Sequence, residues 1–267
     1  MYSAANHTFA ICAYHDNPFL ETTIESLEKQ TALGQIILST STPSAYIADI
    51  CSRHSIKQIV NPHPNHAGDD WNYAYDSVTT PLVTIVHQDD YYEPQFLEMT
   101  LSWLNERSHD DVVILFSDYY ELRNGKKESQ NTTLRVKRIM NAVFRWPGAA
   151  GSRFARRRVL SFGCPICCPA VTFVKKNAGN SVFDTNYVDS CDYKTWVNLA
   201  NLKGSFVYIP EKLVGHRIYA ESATTHNLSK GIRKTESEKI LESFWPAPVA
   251  RMIGRLYSTS EKSNDLK

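Results

Sequence analysis

Residues 81–94 read PLVTIVHQDDYYEP. An apolar run from Leu82 to Val86 stops at His87-Gln88-Asp89-Asp90, and two tyrosines, Glu93 and Pro94 follow. Such a short continuous run suits a strand covered on both faces, the habit of parallel sheets. Glu93-Pro94 then starts a helix carrying Phe96, Leu97, Leu101 and Leu104 on one side. Two adjacent carboxylates at the end of a buried strand repel each other, so a cation or water must relieve them.

The same rhythm runs through the first half of the chain. Strands are expected over 8–13, 35–38, 57–60, 81–86 and 111–116. Between them lie a helix opened by Asn17-Pro18 with Leu20, Ile24 and Leu27, a helix opened by Thr42-Pro43 with Ile47, Ile50 and Cys51, and a helix near 69–78. Strands alternating with helices of this length mean right-handed βαβ crossovers, hence an α/β fold with a mostly parallel sheet and helices on both faces. Ligands of such sheets bind beyond the carboxyl ends of the strands. Tyr14-His15-Asp16 and His87-Gln88-Asp89-Asp90 both sit at such ends and are expected to face one crevice.

The second half loses the rhythm. Residues 134–146 put Val136, Ile139, Met140, Val143 and Phe144 on one helical face, with Arg135, Lys137, Arg138 and Arg145 elsewhere. A Gly-rich turn and Arg153, Arg156, Arg157 and Arg158 follow. Beyond them a strand is expected over 170–174, a helix over 187–202 with Asp189 and Asp192 near its start, and strands over 206–209 and 213–218. A helix over 227–244 and a last helical piece from Val249 to Tyr257 precede a tail expected to be disordered. The expected division is a domain over 1–225, with halves 1–128 and 129–225, and a C-terminal helical extension over 226–267.

The chain has 267 residues, 42% apolar and 21% charged, the balance of a soluble globular protein. It has no apolar run long enough to span a membrane and no signal-peptide pattern, so a cytoplasmic protein is expected. Of six cysteines, only Cys164, Cys167 and Cys168 cluster; no second ligand pair accompanies them, so reduced, packed thiols are expected rather than a zinc site. Net charge is near zero, yet unevenly placed. Residues 1–128 carry 7 basic and 18 acidic side chains, whereas 129–183 carry 10 basic and none acidic. That segregation points to an anionic partner for the second segment: phosphates, nucleic acid or a lipid headgroup surface.

Hard carboxylate oxygens at a strand end suit Mg2+ or Mn2+ bridged to substrate phosphates; alternatively, Asp89 and Asp90 only cap the following helix. The order of motifs enlarges this reading. A strand leading to a polar loop (FAICAYHDNPFLETTIESLEKQT), a Gly and Asn before a helix (GDDWNYAYDSV), the Asp-rich loop (VTIVHQDDYYEP), a Pro-flanked strand (CPAVTFV), an acid-led helix (DSCDYKTWVNLA) and an Arg-containing strand (KLVGHRIYAESATT) follow one another from about residue 8 to 225. This order resembles family 2 glycosyltransferases of the GT-A fold, including those that build bacterial surface polysaccharides.

The resemblance implies a metal-dependent inverting transfer of a sugar from a nucleotide-diphosphate donor to a glycan acceptor, with Mn2+ or Mg2+ as cofactor. It assigns Asp89 and Asp90 to the metal and the donor ribose, Tyr14 and Asp16 to the loop beside the nucleotide base, Asn72 to the donor side, and Asp192 to the catalytic base, with Asp189 in reserve. Asp192 alternatively serves only as a helix N-terminal charge. His87 stands where the family's metal motif begins with Asp, Trp71 where an Arg often precedes the Asn, and STSTPS ends the second strand in place of carboxylates. Arg217-Ile218-Tyr219 replaces an Arg-x-His, leaving His216 as a candidate metal ligand.

The basic segment 134–158 suits an acceptor borne on a lipid diphosphate, or an anionic membrane at the inner face of the cell, or else a docked helix with solvated arginines. No aromatic or zinc-finger pattern supports nucleic acid. Two rivals stand beside the transferase: a nucleotidyltransferase of similar fold, which lacks a Gly-rich basic loop after the first strand, and a non-catalytic binder of sugar nucleotides or membranes.

Overall fold

The computed structural model describes residues 1–107, 111–219 and 231–261, with side chains through Leu256. Its frame is a nine-stranded sheet among the described residues, ordered β3-β2-β1-β4-β8-β6-β9-β5, with β7 paired to β6. The first strands are β1 (His7–Ala13), β2 (Gln35–Thr40), β3 (Lys57–Val60) and β4 (Leu82–His87), paired in parallel. Between them run α1 (Leu20–Glu28), α2 (Ala45–Arg53) and α3 (Ala67–Ser77). Ser44 caps α2 by accepting the Ile47 N–H at 3.2 Å. After β4 come β5 (Tyr91–Tyr92), α4 (Phe96–Glu106), β6 (Val112–Arg123) and β7 (Lys126–Glu128).

Period-two alternation divides the core into two layers. Phe9, Ile11, Leu82 and Val86 face α1, α2 and α4 with Leu20, Ile24, Ile47 and Phe96, while Ala10, Val83 and Ile85 face the other side with Ala74 and Tyr75 of α3. The doubly covered, mostly parallel sheet expected from the first half is therefore present, and β1 and β4 lie side by side with Cys12 opposite His87. That adjacency puts both polar loops on one edge.

The second half is built from α5 (Thr132–Ala142), α6 (Pro147–Gly151), α7 (Arg153–Leu160), β8 (Val171–Val174), α8 (Lys175–Ala178), α9 (Cys191–Leu199), β9 (Ser205–Ile218), α10 (Ile232–Glu242) and α11 (Ala247–Glu261). No helix of the described residues is long and apolar enough to cross a membrane. Five expectations need correcting. First, the strand expected over 111–116 runs on to Arg123, because the polar residues Asp118 and Glu121 are buried by partners the sequence pattern does not display. Second, the strands expected over 206–209 and 213–218 are one strand, β9, whose Pro210 coincides with register shifts against β6. Third, the residues expected to form a Gly-rich turn hold the short helix α6, and the arginines that follow lie on the helix α7. The helix expected over 187–202 is limited to Cys191–Leu199.

The last correction concerns α5, whose expected apolar face is buried only in part: Phe144, just beyond the helix, is in the core and Met140 and Val143 pack against it. Val136 and Ile139 are exposed. Arg138 instead turns inward: its Nε pairs with Asp118 at 2.5 Å, and its Nη atoms donate to the Ser129 and Tyr119 carbonyls. Lys137 donates to the Tyr119 hydroxyl at 3.0 Å. The arginine cluster is structural as well. Arg156 is fully buried, donates to the Leu202 carbonyl at 2.8 Å and lies over Phe206. Arg157 lies over Phe244, and Arg158 over Phe162 and Trp245, while Trp245 donates to the Ser161 carbonyl at 2.8 Å. These contacts bolt α10 and α11 to α7. The beginning of the helix expected over 227–244, residues 220–225 of the motif series and the tail expected to be disordered lie outside the described residues.

Gly204 joins α9 to β9 with φ of +122°, and a Cβ there would lie 2.0 Å from the Asp111 carbonyl oxygen. Gly204→Ala should therefore lower unfolding free energy by about 2–4 kcal/mol in urea titration. Gly125→Ala, also at positive φ but facing open space, should cost about 1 kcal/mol. Equal losses at the two positions would refute the steric account.

Candidate active site

The loop after β4 answers the question its two carboxylates raise. Asp90 is fully buried. Its Oδ1 lies 3.0 Å from the His216 ring nitrogen and accepts the Arg217 backbone N–H at 2.9 Å. Arg217 Nε donates to the Asp89 carbonyl at 2.8 Å, and its guanidinium lies 4.0 Å from the Phe19 ring centre. Burial alone would push the Asp90 carboxyl up, but His216, then His87, outweigh it and hold it below the usual range. Burial likewise opposes charge on His216, yet Asp90 keeps that imidazole above its ordinary value. Asp89 is raised, first by burial and then by the charge of Asp90, and Tyr219 hydrogen-bonds it. One carboxylate of the pair is thus firmly ionised and the other is held back.

The loop after β1 is tied to this centre. Gln88 Oε1 accepts the Tyr14 N–H and Gln88 Nε2 donates to the Tyr14 carbonyl, both at 2.9 Å. The Thr23 hydroxyl of α1 donates to the Asp90 carbonyl at 2.8 Å. Asp16 accepts from the Ser44 hydroxyl at 2.6 Å, and the His15 N–H donates to Thr42 at 2.6 Å. His15, Asp16, Thr42, Pro43 and Ser44 line an open groove of about 500 Å3 at the joined ends of β1 and β2. The loops after β1 and β4 are thus joined through Gln88, while the groove is lined by the first of them and the end of β2. Asn72 has both amide groups engaged with the Phe183 backbone, at 2.9 and 2.8 Å, so it frames the site by pinning that loop to α3.

Asp192 opens α9 and accepts the Tyr193 N–H at 2.7 Å. Burial raises its pKa, against the opposing charge of Arg233. Its charge and that of Asp90 both add to the effect of burial in pushing the half-buried Cys167 thiol far up. Cys164, Cys168 and Cys191 also feel Asp192, and all six cysteines are free thiols, as expected. Asp189 points elsewhere and pairs with Arg233 of α10 at 2.6 Å.

No three His, Cys, Asp or Glu side chains among the described residues converge into a cage able to hold a metal alone. Yet Asp90 Oδ2 is buried, lies 3.5 Å from His87 Nδ1 and accepts no hydrogen bond. An unsatisfied buried carboxylate oxygen beside a second carboxylate suits Mg2+ or Mn2+, which usually take one or two protein carboxylates and complete their shell on substrate phosphates. The residues fit an ion shared with a diphosphate.

Several participants carried no signal in the sequence. Glu236 of α10 accepts three successive backbone N–H groups, from Val188, Asp189 and Ser190 at 2.7, 3.0 and 2.8 Å, directly before α9. Lys137 of α5 acts on both Cys167 and Asp192. Trp71 and His87, noted as two separate departures from the family pattern, stack on each other at 4.9 Å and 15°. Burial drives His87 down to about 4, Asp90 opposing, so the stacked ring is a neutral imidazole.

The sequence profile described as glycosyl transferase family 2 matches residues 8–183. No curated protein matches the chain in sequence. Among solved structures, S. aureus TarS 1–349 is similar with a TM-score of 0.60 at 14% identity, covering 96% of this chain and 72% of that one. Mannosyltransferase PcManGT from Pyrobaculum calidifontis, in complex with GDP-Man and Mn2+, reaches 0.63 at 12% identity, covering 100% of this chain and 77% of that one. Glucosyl-3-phosphoglycerate synthase from Mycobacterium tuberculosis, in complex with Mn2+ and UDP-glucose, reaches 0.52 at 11% identity, covering 86% and 76%. At such identities the likeness speaks for the fold, which is that of GT-A enzymes; the profile, spanning well over half the chain, speaks for the family. The chain belongs to glycosyl transferase family 2 and is a glycosyltransferase.

Proposed function

We propose that the enzyme transfers a sugar with inversion from a nucleotide-diphosphate donor to a glycan hydroxyl, with Asp192 as base and Asp89 and Asp90 at the donor diphosphate. The observation that carries this reading is the buried Asp90, whose Oδ2 accepts no hydrogen bond beside Asp89 at the tip of β4; the charges of Asp90 and of Asp192 both reach the half-buried Cys167 thiol. A donor held at the first and an acceptor at the second would meet in one pocket. Asp192 takes the proton of the acceptor hydroxyl as its oxygen forms a bond to the anomeric carbon. The bond from that carbon to the diphosphate oxygen breaks on the opposite face, and a nucleoside diphosphate leaves. Mn2+ or Mg2+, held by Asp89 and Asp90 with His216 beside them, would supply Lewis-acid stabilisation of the departing diphosphate.

Asp16 lines the groove that would take the nucleotide base, Tyr14 stands in the same loop two residues before it, and Asn72 pins the Phe183 loop to α3. The nucleotide sugars and Mn2+ bound by two of the similar proteins support the same ligand classes here. The acceptor is taken to be a surface-polysaccharide glycan carried on a lipid diphosphate, with the enzyme working peripherally at the inner face of the cell membrane. The domain division at about residue 225 is modified in one respect. The C-terminal extension serves the transferase half, because Glu236 and Arg233 fix the segment that leads into Asp192.

Thermal unfolding with UDP-, GDP- and dTDP-sugars should reveal one donor that stabilises the enzyme only when Mn2+ is present. Failure of every donor in the presence of metal would remove the reading. Asp192 works as a base only when ionised, and burial raises its pKa. Accordingly kcat/KM should fall as pH drops, with the limb lying above the ordinary carboxylate range. Asp192→Asn should erase that limb and reduce kcat by about 10²–10⁴-fold while leaving the donor-induced stabilisation intact. A full-speed Asp192→Asn enzyme would assign the base elsewhere. Glu236→Gln keeps the size of the clamp but not its charge; kcat should drop about tenfold with donor KM unchanged, since a displaced base loses rate rather than donor affinity. A rise in donor KM alone would show that Glu236 does not act through Asp192.

A further inference from the structure

The outward faces of α5, α7 and α11 form a surface that the transferase chemistry does not use. Large apolar side chains there point into solvent: Ile139 at 73% exposure, Trp146 at 73%, Phe154 at 79% and Leu256 at 68%. Val136 and Met252 are exposed beside them. On α5 the outward residues run Arg135, Val136, Ile139; on α11 they run Arg251, Met252, Arg255, Leu256. Each helix thus repeats arginine next to an apolar residue along one face.

These elements are held together. The helices α5 and α11 touch, and the Arg157–Phe244 and Arg158–Trp245 stacks fasten the C-terminal helices to α7. Of the arginines at 156–158, Arg157 and Arg158 are occupied in that fastening and Arg156 is buried against Leu202 and Phe206. The surface left over is apolar with basic residues set among it.

Charge indicates what covers it. Residues 129–183 contain no carboxylate, and α11 has none before Glu261. Arg135, Arg145, Arg153 and Arg251 are exposed and pair with no carboxylate among the described residues. A second copy of the chain would set arginine against arginine. A nucleic acid would match the charge but offer nothing apolar to receive Ile139, Met252 and Leu256. A bilayer with anionic headgroups meets both demands: apolar side chains enter the headgroup boundary, aromatic rings sit at that level and arginines pair with phosphates.

We infer that the enzyme docks on an anionic lipid surface through the outer faces of α5 and α11, with Trp146 and Phe154 at the edge of the contact. The inference rests on the proposed reading only in taking the acceptor to be membrane-borne, and its test is independent of transfer. The full chain is mixed with vesicles of phosphatidylcholine alone or of phosphatidylcholine with phosphatidylglycerol, and bound protein is measured by flotation. Binding is expected on the anionic vesicles and to fall on phosphatidylcholine and at high salt.

Two double variants divide the contributions: Ile139→Asp with Leu256→Asp, and Arg135→Glu with Arg251→Glu. Each should lower partition onto anionic vesicles about tenfold or more. Melting temperature and donor-induced stabilisation, read on the same samples, should stay as in the parent enzyme. Absence of parent binding to anionic vesicles, or equal binding by the variants, overturns the inference. So does a concentration-dependent dimer of the parent that the variants dissolve, which would give the face to a second copy. Any of these results leaves the assignment of Asp89, Asp90 and Asp192 standing, whereas loss of donor binding with vesicle binding intact would refute that assignment alone.

Discussion

The candidate site depends on a single buried carboxylate. Asp90 is wholly removed from water, and an isolated buried charge is prohibitively unfavourable. It is tolerated because β9 passes close enough to deliver both the His216 ring and the Arg217 backbone N–H to one oxygen. The other oxygen has no hydrogen bond. The geometry therefore commits half of the carboxylate to the protein and keeps the other half unsatisfied, which is the state a cation-binding group needs before its cation arrives. Asp89, raised by burial and by its neighbour, is held closer to neutrality. The strand pairing, the parallel register of β1 with β4 and the docking of Arg217 on Phe19 all serve to hold this one arrangement.

The second carboxylate is positioned by different means. Asp192 lies at the start of α9, and the segment before that helix has its backbone N–H groups gathered by Glu236. A carboxylate accepting three successive N–H groups does for this turn what a capping residue does for a helix, but from a separate element. The consequence is mechanical. The C-terminal helices are fixed to α7 by arginine–aromatic stacks and to the 188–190 turn by Glu236 and Arg233, and so brace the segment that leads into Asp192.

Much of the fold was legible in local pattern. The alternating strands and helices of the first half, and the placement of Tyr14, Asp16, Asp89 and Asp90 at adjoining strand ends, follow from apolar periodicity and from the rule that ligand loops gather at the carboxyl ends of parallel strands. The second half was less so, and α5 shows why. Its periodicity offers Val136, Ile139, Met140, Val143 and Phe144 as a core face; the last three do pack inward, yet Val136 and Ile139 are exposed while Arg138 and Lys137 turn to Asp118 and to the Tyr119 carbonyl and hydroxyl on β6. A paired charge outcompetes a modest apolar stripe when the partner is already buried. The polar half of β6 was missed as strand for the same reason, seen from the other side.

The sequence by itself determined the alternation of strands and helices in the first half, the acidic loop at the tip of β4 and the family of motifs around it, because each of these is written in residues a few positions apart. Only the tertiary structure decided that His216 and Arg217 of β9 meet Asp90, that Glu236 holds the turn before α9 across 46 residues to Ser190, and that Arg156 is buried while Arg157 and Arg158 lie over aromatic rings. Those outcomes depend on which distant groups come within hydrogen-bonding or stacking distance. Such pairings are set by the packing of whole elements, and no local period encodes them.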